Sequence, residues 1–189
     1  MKLFHLDSSI QGGKSASRAI SAAEVEQLSS GNTELEIVYR DLVAAPLAHL
    51  TLEAFAGAKA KAVLTEFQSA DIVVIGAPLY NFTISSQLKA WFDRILVAGE
   101  TLSYSESGQE GLAGDKRIIV AVARGGVYAE GSPFASFEHA ETLLKSLLSF
   151  IGISGPEFIV AEELATGEQA RQASIDAALG QAQLLRLAA

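Results

Sequence analysis

The sequence contains no cysteine among its 189 residues. Disulfides, thiolate metal sites and thiol nucleophiles are therefore excluded. Its three histidines, His5, His49 and His139, stand far apart, and none shows the close spacing that a zinc site needs. We therefore expect no metal site.

Basic residues are also scarce, because 14 Lys and Arg against 22 Asp and Glu leave a formal net charge of −8. A surface of that sign repels nucleic acid and anionic lipid, and no basic run is longer than the one within residues 115–117. No apolar stretch approaches the ~20 residues that cross a bilayer. The first seven residues become charged too early for a secretory signal. We expect a soluble, cytoplasmic protein that binds neither nucleic acid nor membrane.

What is present is a core-forming share of apolar residues, 49%, in a chain long enough for one domain, 1–189. Strand-like and helix-like segments alternate from end to end, which predicts an α/β fold with helices on both faces of a parallel sheet. The predicted strands are 2–6, 35–39, 72–77, 117–123 and 158–160. The predicted helices are 15–29, 52–69, 85–97, 134–151 and 167–187. Five strands with right-handed crossovers favour the doubly wound, flavodoxin-like strand order 2-1-3-4-5.

One segment departs from this alternation. Residues 102–112 form a polar excursion between the third helix and the fourth strand, and the excursion contains two glycines. Its length and composition predict a lid or a binding loop.

The segment after the first strand, residues 7–18, is rich in hydroxyls and glycines at a strand-to-helix junction. Free amides and the positive end of a helix dipole make such a junction an anion site, with Ser9, Ser15 and Ser17 as donors to a phosphate. The alternative is that Ser15 or Ser17 only caps the helix, which is compatible with phosphate binding.

Other phosphate-binding motifs fit this junction poorly. The dinucleotide fingerprint is absent, and Gly13-Lys14-Ser15 matches the end of a Walker A loop while Ser8 stands in place of its first glycine. The third predicted strand ends without the aspartate that would hold magnesium. Asp7 likewise has no partner aspartate there for a phosphoacceptor domain. A flavin monophosphate needs only hydroxyl and amide donors, which are present.

The segments after the third and fourth strands predict a site for a planar ring. Tyr80 and Phe82 can supply apolar surface, and Asn81 can supply polar groups at the ring edge. Gly125 and Gly126 let the backbone approach a flat ligand closely. The alternatives are a helix entry capped by Asn81 or Thr83 with core aromatics, an ordinary glycine turn, and Arg124 as a surface charge or a partner of a helix end.

Together these segments resemble the FMN-dependent NADH:quinone oxidoreductases, also called FMN-dependent azoreductases. The motifs that carry the resemblance are Ser8-Ser9-Ile10…Ser15-Ala16-Ser17, Pro78-Leu79-Tyr80-Asn81-Phe82 and Ala123-Arg124-Gly125-Gly126. Further matches are Tyr104-Ser105-Glu106-Ser107-Gly108-Gln109-Glu110-Gly111-Leu112, Phe150-Ile151-Gly152-Ile153 and Phe158…Ala161-Glu162. The similarity covers essentially the whole chain.

The resemblance implies bound FMN and a fold of the flavodoxin type. It implies that the FMN phosphate lies on Ser9, Ser15, Ala16 and Ser17. It implies that the flavin ring lies on Leu79, Tyr80, Asn81, Phe82, Ala123, Arg124, Gly125 and Gly126. Leu79 replaces a methionine of the family and Ala123 a serine, and the connection after the second strand, around residues 43–56, looks shorter than in many relatives.

The family also implies a ping-pong cycle in which NADH or NADPH reduces the flavin and a quinone, or an azo compound, is then reduced. No side-chain acid or base is required, so no catalytic residue is predicted. Asn81 and Gly126 are candidates for polarising the flavin, and Tyr104 and Phe158 for the wall of the substrate pocket. Relatives are homodimers, and Trp91 suits either a dimer interface or the core. His5, within a central strand, is expected to be a satisfied core histidine.

Two hypotheses of other classes stay open on sequence alone. A flavodoxin-type electron carrier would bind FMN but turn over no small molecule, and the net charge fits it equally well. A binding or scaffold domain would hold no flavin at all.

Overall fold

The computed structural model describes residues 1–55 and 58–187. The strands are β1 (Lys2–Asp7), β2 (Glu36–Asp41), β3 (Ile72–Pro78), β4 (Leu102–Ser105), β5 (Gly108–Gly111), β6 (Arg117–Ala123) and β7 (Glu157–Ala161). The helices are α1 (Ala16–Ser29), α2 (Leu52–Phe55), α3 (Ala58–Gln68), α4 (Ser86–Ile95), α5 (Ala140–Phe150) and α6 (Glu168–Ala182), with short 3-10 turns at Gly12–Lys14 and Ala135–Phe137.

Five strands form one parallel sheet in the order β2-β1-β3-β6-β7. The predicted flavodoxin-like α/β fold with a five-stranded parallel sheet is confirmed. In chain numbering the order is 2-1-3-6-7 and not the predicted 2-1-3-4-5, because the polar excursion forms two strands of its own. β4 and β5 pair antiparallel as a separate hairpin, with Tyr104 opposite Gln109.

The core lies on both faces of the sheet. On one face Phe4 and Phe67 surround Trp91, whose side chain is 0% exposed. On the other face Leu3 and Ile20 belong to a second buried cluster beneath α1 and α6. Within one chain Trp91 is therefore a core residue, which decides between the two roles that the sequence left open.

Several helix ends differ from the sequence prediction. The helix predicted over 134–151 begins only at Ala140, because the Glu138 carboxylate accepts the amides of Ala140, Glu141 and Thr142 at 2.8–3.2 Å and so marks its start. The last helix ends at Ala182, short of the predicted residue 187.

The connection after β2 contains α2 and leads into α3. These two elements stand on either side of residues 56–57, which lie outside the described residues. The helix predicted over 52–69 and the short 43–56 connection both fall partly on those residues. Across residues 1–55 and 58–187, no helix combines the length and the apolarity that crossing a membrane requires.

Candidate cofactor-binding site

Three loops meet where the neighbouring strands β1, β3 and β6 end, at the carboxyl edge of the sheet. The Leu79 amide donates to the Ala123 carbonyl at 2.8 Å, which joins the loops after β3 and β6. The Ser9 Oγ lies 3.0 Å from the Tyr80 hydroxyl, and the Ile10 amide donates to that same hydroxyl at 3.2 Å. The three predicted segments therefore form one continuous rim, as the carboxyl ends of parallel strands should.

The first loop presents buried hydroxyls at the start of α1. Ser15 caps the helix by accepting the Arg18 amide at 3.3 Å, and its Oγ lies 3.1 Å from that of Ser17. Ser9, Ser15 and Ser17 are all at least 96% buried. In the described part of the chain, the first-turn amides of Ala16 and Ser17 have no acceptor, as is usual for the first turn of a helix. Capping by Ser15 therefore leaves the amides of Ala16 and Ser17 available to an acceptor.

An ion-pair network holds this loop in place. The Arg18 guanidinium donates to the Ser9 carbonyl at 2.8 Å and to Asp41 at 2.7 Å. The hydrogen bond from Arg18 keeps the pKa of Asp41 below its usual range and raises the pKa of Arg18 itself. Because both groups stay charged, the loop is anchored to the end of β2.

Beside this network, His5 is buried, and its Nε2 lies 3.0 Å from the Ser21 Oγ. It is the satisfied core histidine that was predicted.

The second loop contains a tight turn with an unusual backbone. Tyr80 and Thr83 exchange both backbone hydrogen bonds, at 2.8 and 3.1 Å, so that Asn81 and Phe82 occupy the turn with φ of 47° and 73°. Left-handed backbone is tolerated by asparagine but costs energy for a bulky side chain such as phenylalanine. The next helix is capped by Ser85, which accepts the Leu88 amide at 3.2 Å. The alternative in which Asn81 or Thr83 caps that helix is therefore wrong.

The turn is held from outside by the segment before α5. The Phe82 carbonyl accepts the His139 amide at 2.9 Å, and the Phe82 ring lies 5.1 Å from that of Phe137. The Phe82 side chain remains 43% exposed and the Tyr80 side chain is half-buried. Both aromatics therefore lie at the rim and not in the core.

The third loop runs beside the segment that follows β7. The Gly125 carbonyl accepts the Ala165 amide at 2.9 Å, and the Gly126 carbonyl accepts the Glu163 amide at 3.3 Å. A Cβ on Gly126 would lie 3.5 Å from the Tyr128 ring, which is ordinary contact. The fold itself therefore has room for a Cβ at Gly126.

Arg124 differs from the other predicted ligands. Its side chain is 4% exposed and is surrounded by three carboxylates, those of Glu138, Glu141 and Glu162, at distances up to 3.5 Å. A surface role for Arg124 is therefore wrong. Its guanidinium charge is therefore already matched by carboxylates.

Three cavities adjoin one another along this rim. The central cavity, of about 200 Å³, is lined by residues from all three loops. These are Gln11, Ser15, Ala16, Pro78, Leu79, Tyr80, Ala123, Arg124 and Gly125, with Leu164, Ala165 and Arg171. A cavity of about 640 Å³, here called the α1–α6 groove, continues from it past Lys14, Ala19, Arg171, Gln172 and Ile175. A third, of about 810 Å³, extends from Leu79 and Tyr80 past Asn81 to α4.

Sequence reasoning missed Gln11, Leu164, Ala165 and Arg171. The last three belong to the segment after β7 and to α6, and no motif marked that strand end as a neighbour of the Gly125 loop. The available signal was the predicted place of the last strand beside the fourth predicted strand, which puts the ends of both strands next to each other.

Two predicted residues lie away from this rim. Tyr104 is 68% exposed on the β4–β5 hairpin, and Phe158 lies near the start of β7, opposite Val120. Neither lines the three cavities. Within one chain the structure therefore does not bring Tyr104 and Phe158 to the predicted flavin site.

The sheet order and the donor-lined cleft at its carboxyl edge define a flavodoxin-like α/β protein. The chain matches the family described as "Flavodoxin-like fold" over residues 1–185. It is 53% identical to an FMN-dependent NADH:quinone oxidoreductase of Methylorubrum extorquens, with 100% of both chains covered. It is 51% identical to FMN-dependent NADH:quinone oxidoreductase 2 of Bradyrhizobium diazoefficiens, again over all of both chains. The chain therefore belongs to the FMN-dependent NADH:quinone oxidoreductase family.

Solved structures agree with this assignment. The azoreductase AzrA superposes with a TM-score of 0.89 at 27% identity, covering 97% of each chain. The azoreductase from Bacillus anthracis str. Sterne gives the same TM-score at 28% identity, with the same coverage. The resemblance predicted from the motifs is confirmed.

Proposed function

We propose that this protein is an FMN-dependent oxidoreductase that passes reducing equivalents from NADH to quinones, and to azo compounds, in a ping-pong cycle. The observation that carries the proposal is the meeting of three loops at one rim, with hydroxyl and amide donors at one end and exposed aromatic and glycine positions at the other. The names of the close relatives support the same activity.

The donors at the start of α1 fit the cofactor's phosphate. Ser9, Ser15 and Ser17 supply hydroxyls, and Ala16 and Ser17 supply first-turn amides aligned with the helix dipole. This set needs no cationic side chain, which agrees with Arg124 being neutralised by carboxylates.

The other loops fit the flavin ring. Leu79, Tyr80, Asn81 and Phe82 would hold one edge, and the backbone from Ala123 to Gly126 would hold the other. Since Gly126 has no Cβ, a planar group can approach the backbone closely there.

When bound, FMN supplies the acceptance and release of hydride. The chain's own part is to bind and orient that group. The left-handed turn at Asn81 and Phe82 presents its backbone amides in one fixed arrangement, braced by His139. No side chain in this arrangement is assigned as a proton donor.

A homodimer would give Tyr104 and Phe158 a role. Tyr104 lies on an exposed hairpin, which suits a contact with a second copy of the chain more than a contact with its own rim. We propose that both residues line the substrate pocket in such a dimer. NADPH as an alternative donor and a cytoplasmic location stay predictions of the sequence.

The test is steady-state turnover by FMN-loaded protein. NADH oxidation with benzoquinone, and with an azo dye, should continue over many turnovers and show the parallel double-reciprocal lines of a ping-pong cycle. Yellow protein that is reduced once by NADH and then reduces no quinone would favour the electron carrier. Protein that binds no FMN, judged by tryptophan fluorescence, would favour the flavin-free domain.

A further inference from the structure

The α1–α6 groove is larger than the phosphate of a flavin requires. It has a volume of about 640 Å³ and runs from the rim along two helices, reaching Ala19 one turn into α1 and Ile175 one turn beyond Arg171 in α6. Of the residues proposed to bind the flavin phosphate, Ser15 and Ala16 line the groove at the end near the rim, whereas Ser9 and Ser17 do not line it. The part of the groove beyond Ser15 and Ala16 is therefore left for another ligand.

Two cations flank the groove without a matching acid. Lys14 is exposed, and Arg171 is half-buried and donates from its guanidinium to the Lys14 carbonyl at 2.8 Å. In the part of the chain that the structure describes, neither side chain forms an ion pair, whereas Arg18, Arg117 and Arg124 each have a carboxylate partner. Unmatched positive charge beside a cavity attracts an anion. The chain as a whole carries a net charge of −8 and repels anions, and these two cations can offset that repulsion locally.

The rest of the lining suits a nucleoside. Ala19 and Ile175 supply apolar surface, and Gln11 and Gln172 supply amides. The groove also shares Gln11, Ser15, Ala16 and Arg171 with the central cavity. A ligand that starts at the flavin site can thus extend into the groove without crossing bulk protein.

We propose that Lys14 and Arg171 bind a phosphoryl group of the nicotinamide dinucleotide, with its adenosine along Ala19 and Ile175. This inference rests on the proposed function, because it assigns a place to the donor of that reaction. The phosphoryl group is either the pyrophosphate, common to NADH and NADPH, or the 2′-phosphate of NADPH. The two sources give different results in the test.

The experiment compares donors with and without phosphate on the FMN-loaded enzyme. Arg171→Gln and Lys14→Gln are assayed with NADH, with NADPH and with 1-benzyl-1,4-dihydronicotinamide, which carries no phosphate. For each variant the dinucleotide kcat/KM, divided by that of the phosphate-free donor, should fall about tenfold, the size of one charge-assisted hydrogen bond. A fall for both dinucleotides identifies the pyrophosphate, and a fall for NADPH alone identifies the 2′-phosphate. Lys61→Gln, which removes an exposed lysine at a separate cavity, is the matched control and should change no ratio.

An unchanged ratio in both variants would overturn the inference. If the affinity for FMN is weakened at the same time, these cations serve the flavin phosphate instead.

A direct binding measurement separates the groove from the reaction. Calorimetry of FMN-loaded protein with ADP and with adenosine 2′,5′-bisphosphate should show binding that Arg171→Gln weakens by a similar factor, about tenfold. If the wild type oxidises none of the three donors, the proposed function fails. This titration still shows whether the α1–α6 groove binds a nucleotide. No binding of either nucleotide to the wild type would refute the site.

Discussion

Asn81 and Phe82 combine a left-handed backbone with exposed positions at the rim. Strained residues persist where the surrounding structure holds them in place, and they cluster at ligand sites. Here the exchange of hydrogen bonds between Tyr80 and Thr83 and the contact from His139 hold the turn. The strain is thus part of how the site is shaped before any ligand arrives.

Substitutions at Asn81 can separate the backbone from the side-chain amide. Asn81→Ala should lower the free energy of unfolding by about 1 kcal/mol, because alanine tolerates a φ of 47° less well, whereas Asn81→Gly should not lower it. Urea unfolding of the flavin-free protein measures both. If the side-chain amide binds the flavin, both variants lose FMN affinity, and if only the backbone matters, the glycine variant retains it. Equal stability of the two variants would contradict the role given to the backbone.

Gly126 offers a test of the flavin position itself. In the flavin-free fold the Cβ of Gly126→Val makes only ordinary contact, since the nearest atoms belong to the Tyr128 ring at 3.5 Å. The substitution should weaken FMN by at least about tenfold, because the added methyl groups occupy the space of a planar ligand. Fluorescence titration with FMN measures the effect. Unchanged affinity would place the ring elsewhere.

At the scale of elements, α1 carries a group that resists its own burial. Glu24 is fully buried against the sheet, and neither carboxylate oxygen has a hydrogen-bond partner in the part of the chain described. Burial, with smaller contributions from Glu157 and Asp7, raises the pKa of Glu24 to about 9. The helix therefore packs with this residue protonated at neutral pH.

This burial predicts a definite pH dependence. The pKa of Glu24 in the folded protein exceeds its ordinary value of 4.5. The contribution of the protonated Glu24 to the free energy of unfolding is therefore fully present below about pH 4.5 and is lost as the pH rises toward about 9. The loss should approach roughly 1.4 kcal/mol per pH unit within that window. Glu24→Gln should remove this contribution and be the more stable protein at alkaline pH. Chemical unfolding of both proteins at several pH values tests it, and parallel curves would contradict it.

The junction of β1 and β3 has no space for a side chain at Gly76. A Cβ there would lie 2.2 Å from the Asp7 Oδ1, which itself accepts a hydrogen bond from the Ser21 hydroxyl at 2.9 Å. Gly76→Ala should therefore destabilise the fold by about 1–3 kcal/mol. Gly180→Ala in α6, where nothing lies within 4 Å of the Cβ, is the matched control and should stabilise by roughly 0.5–1 kcal/mol. Equal effects of the two changes would refute the steric argument.

At the scale of the whole molecule, the exposed hairpin predicts a contribution from a second copy. Sedimentation should give a species of twice the 19.9 kDa chain mass. Tyr104→Ala should lower kcat/KM for quinone several-fold while leaving FMN affinity unchanged, since Tyr104 lies away from its own rim. A monomer with full activity would contradict both the dimer and the role of Tyr104.

The sequence alone determined the class of fold and the three rim segments. Alternating apolar runs specify strands and helices locally, and strands of a parallel sheet end at one edge, so Ser9, Tyr80 and Gly125 could be placed together without coordinates. The 102–112 excursion was recognised as unusual, yet its pairing as a hairpin was not, because its polar residues show no strand periodicity.

Only the tertiary structure decided what depends on contacts between distant segments. Glu138 and Glu141 at the start of α5 and Glu162 after β7 pair with Arg124. Phe4 and Phe67 from other elements pack against Trp91, and Arg171 reaches the rim from the last helix. Such contacts are set by the packing of whole elements, on which local sequence patterns carry no information. The three loops of the cleft could thus be read from the chain, but the residues that α6 and the segment after β7 add to it, and the charges around it, could not.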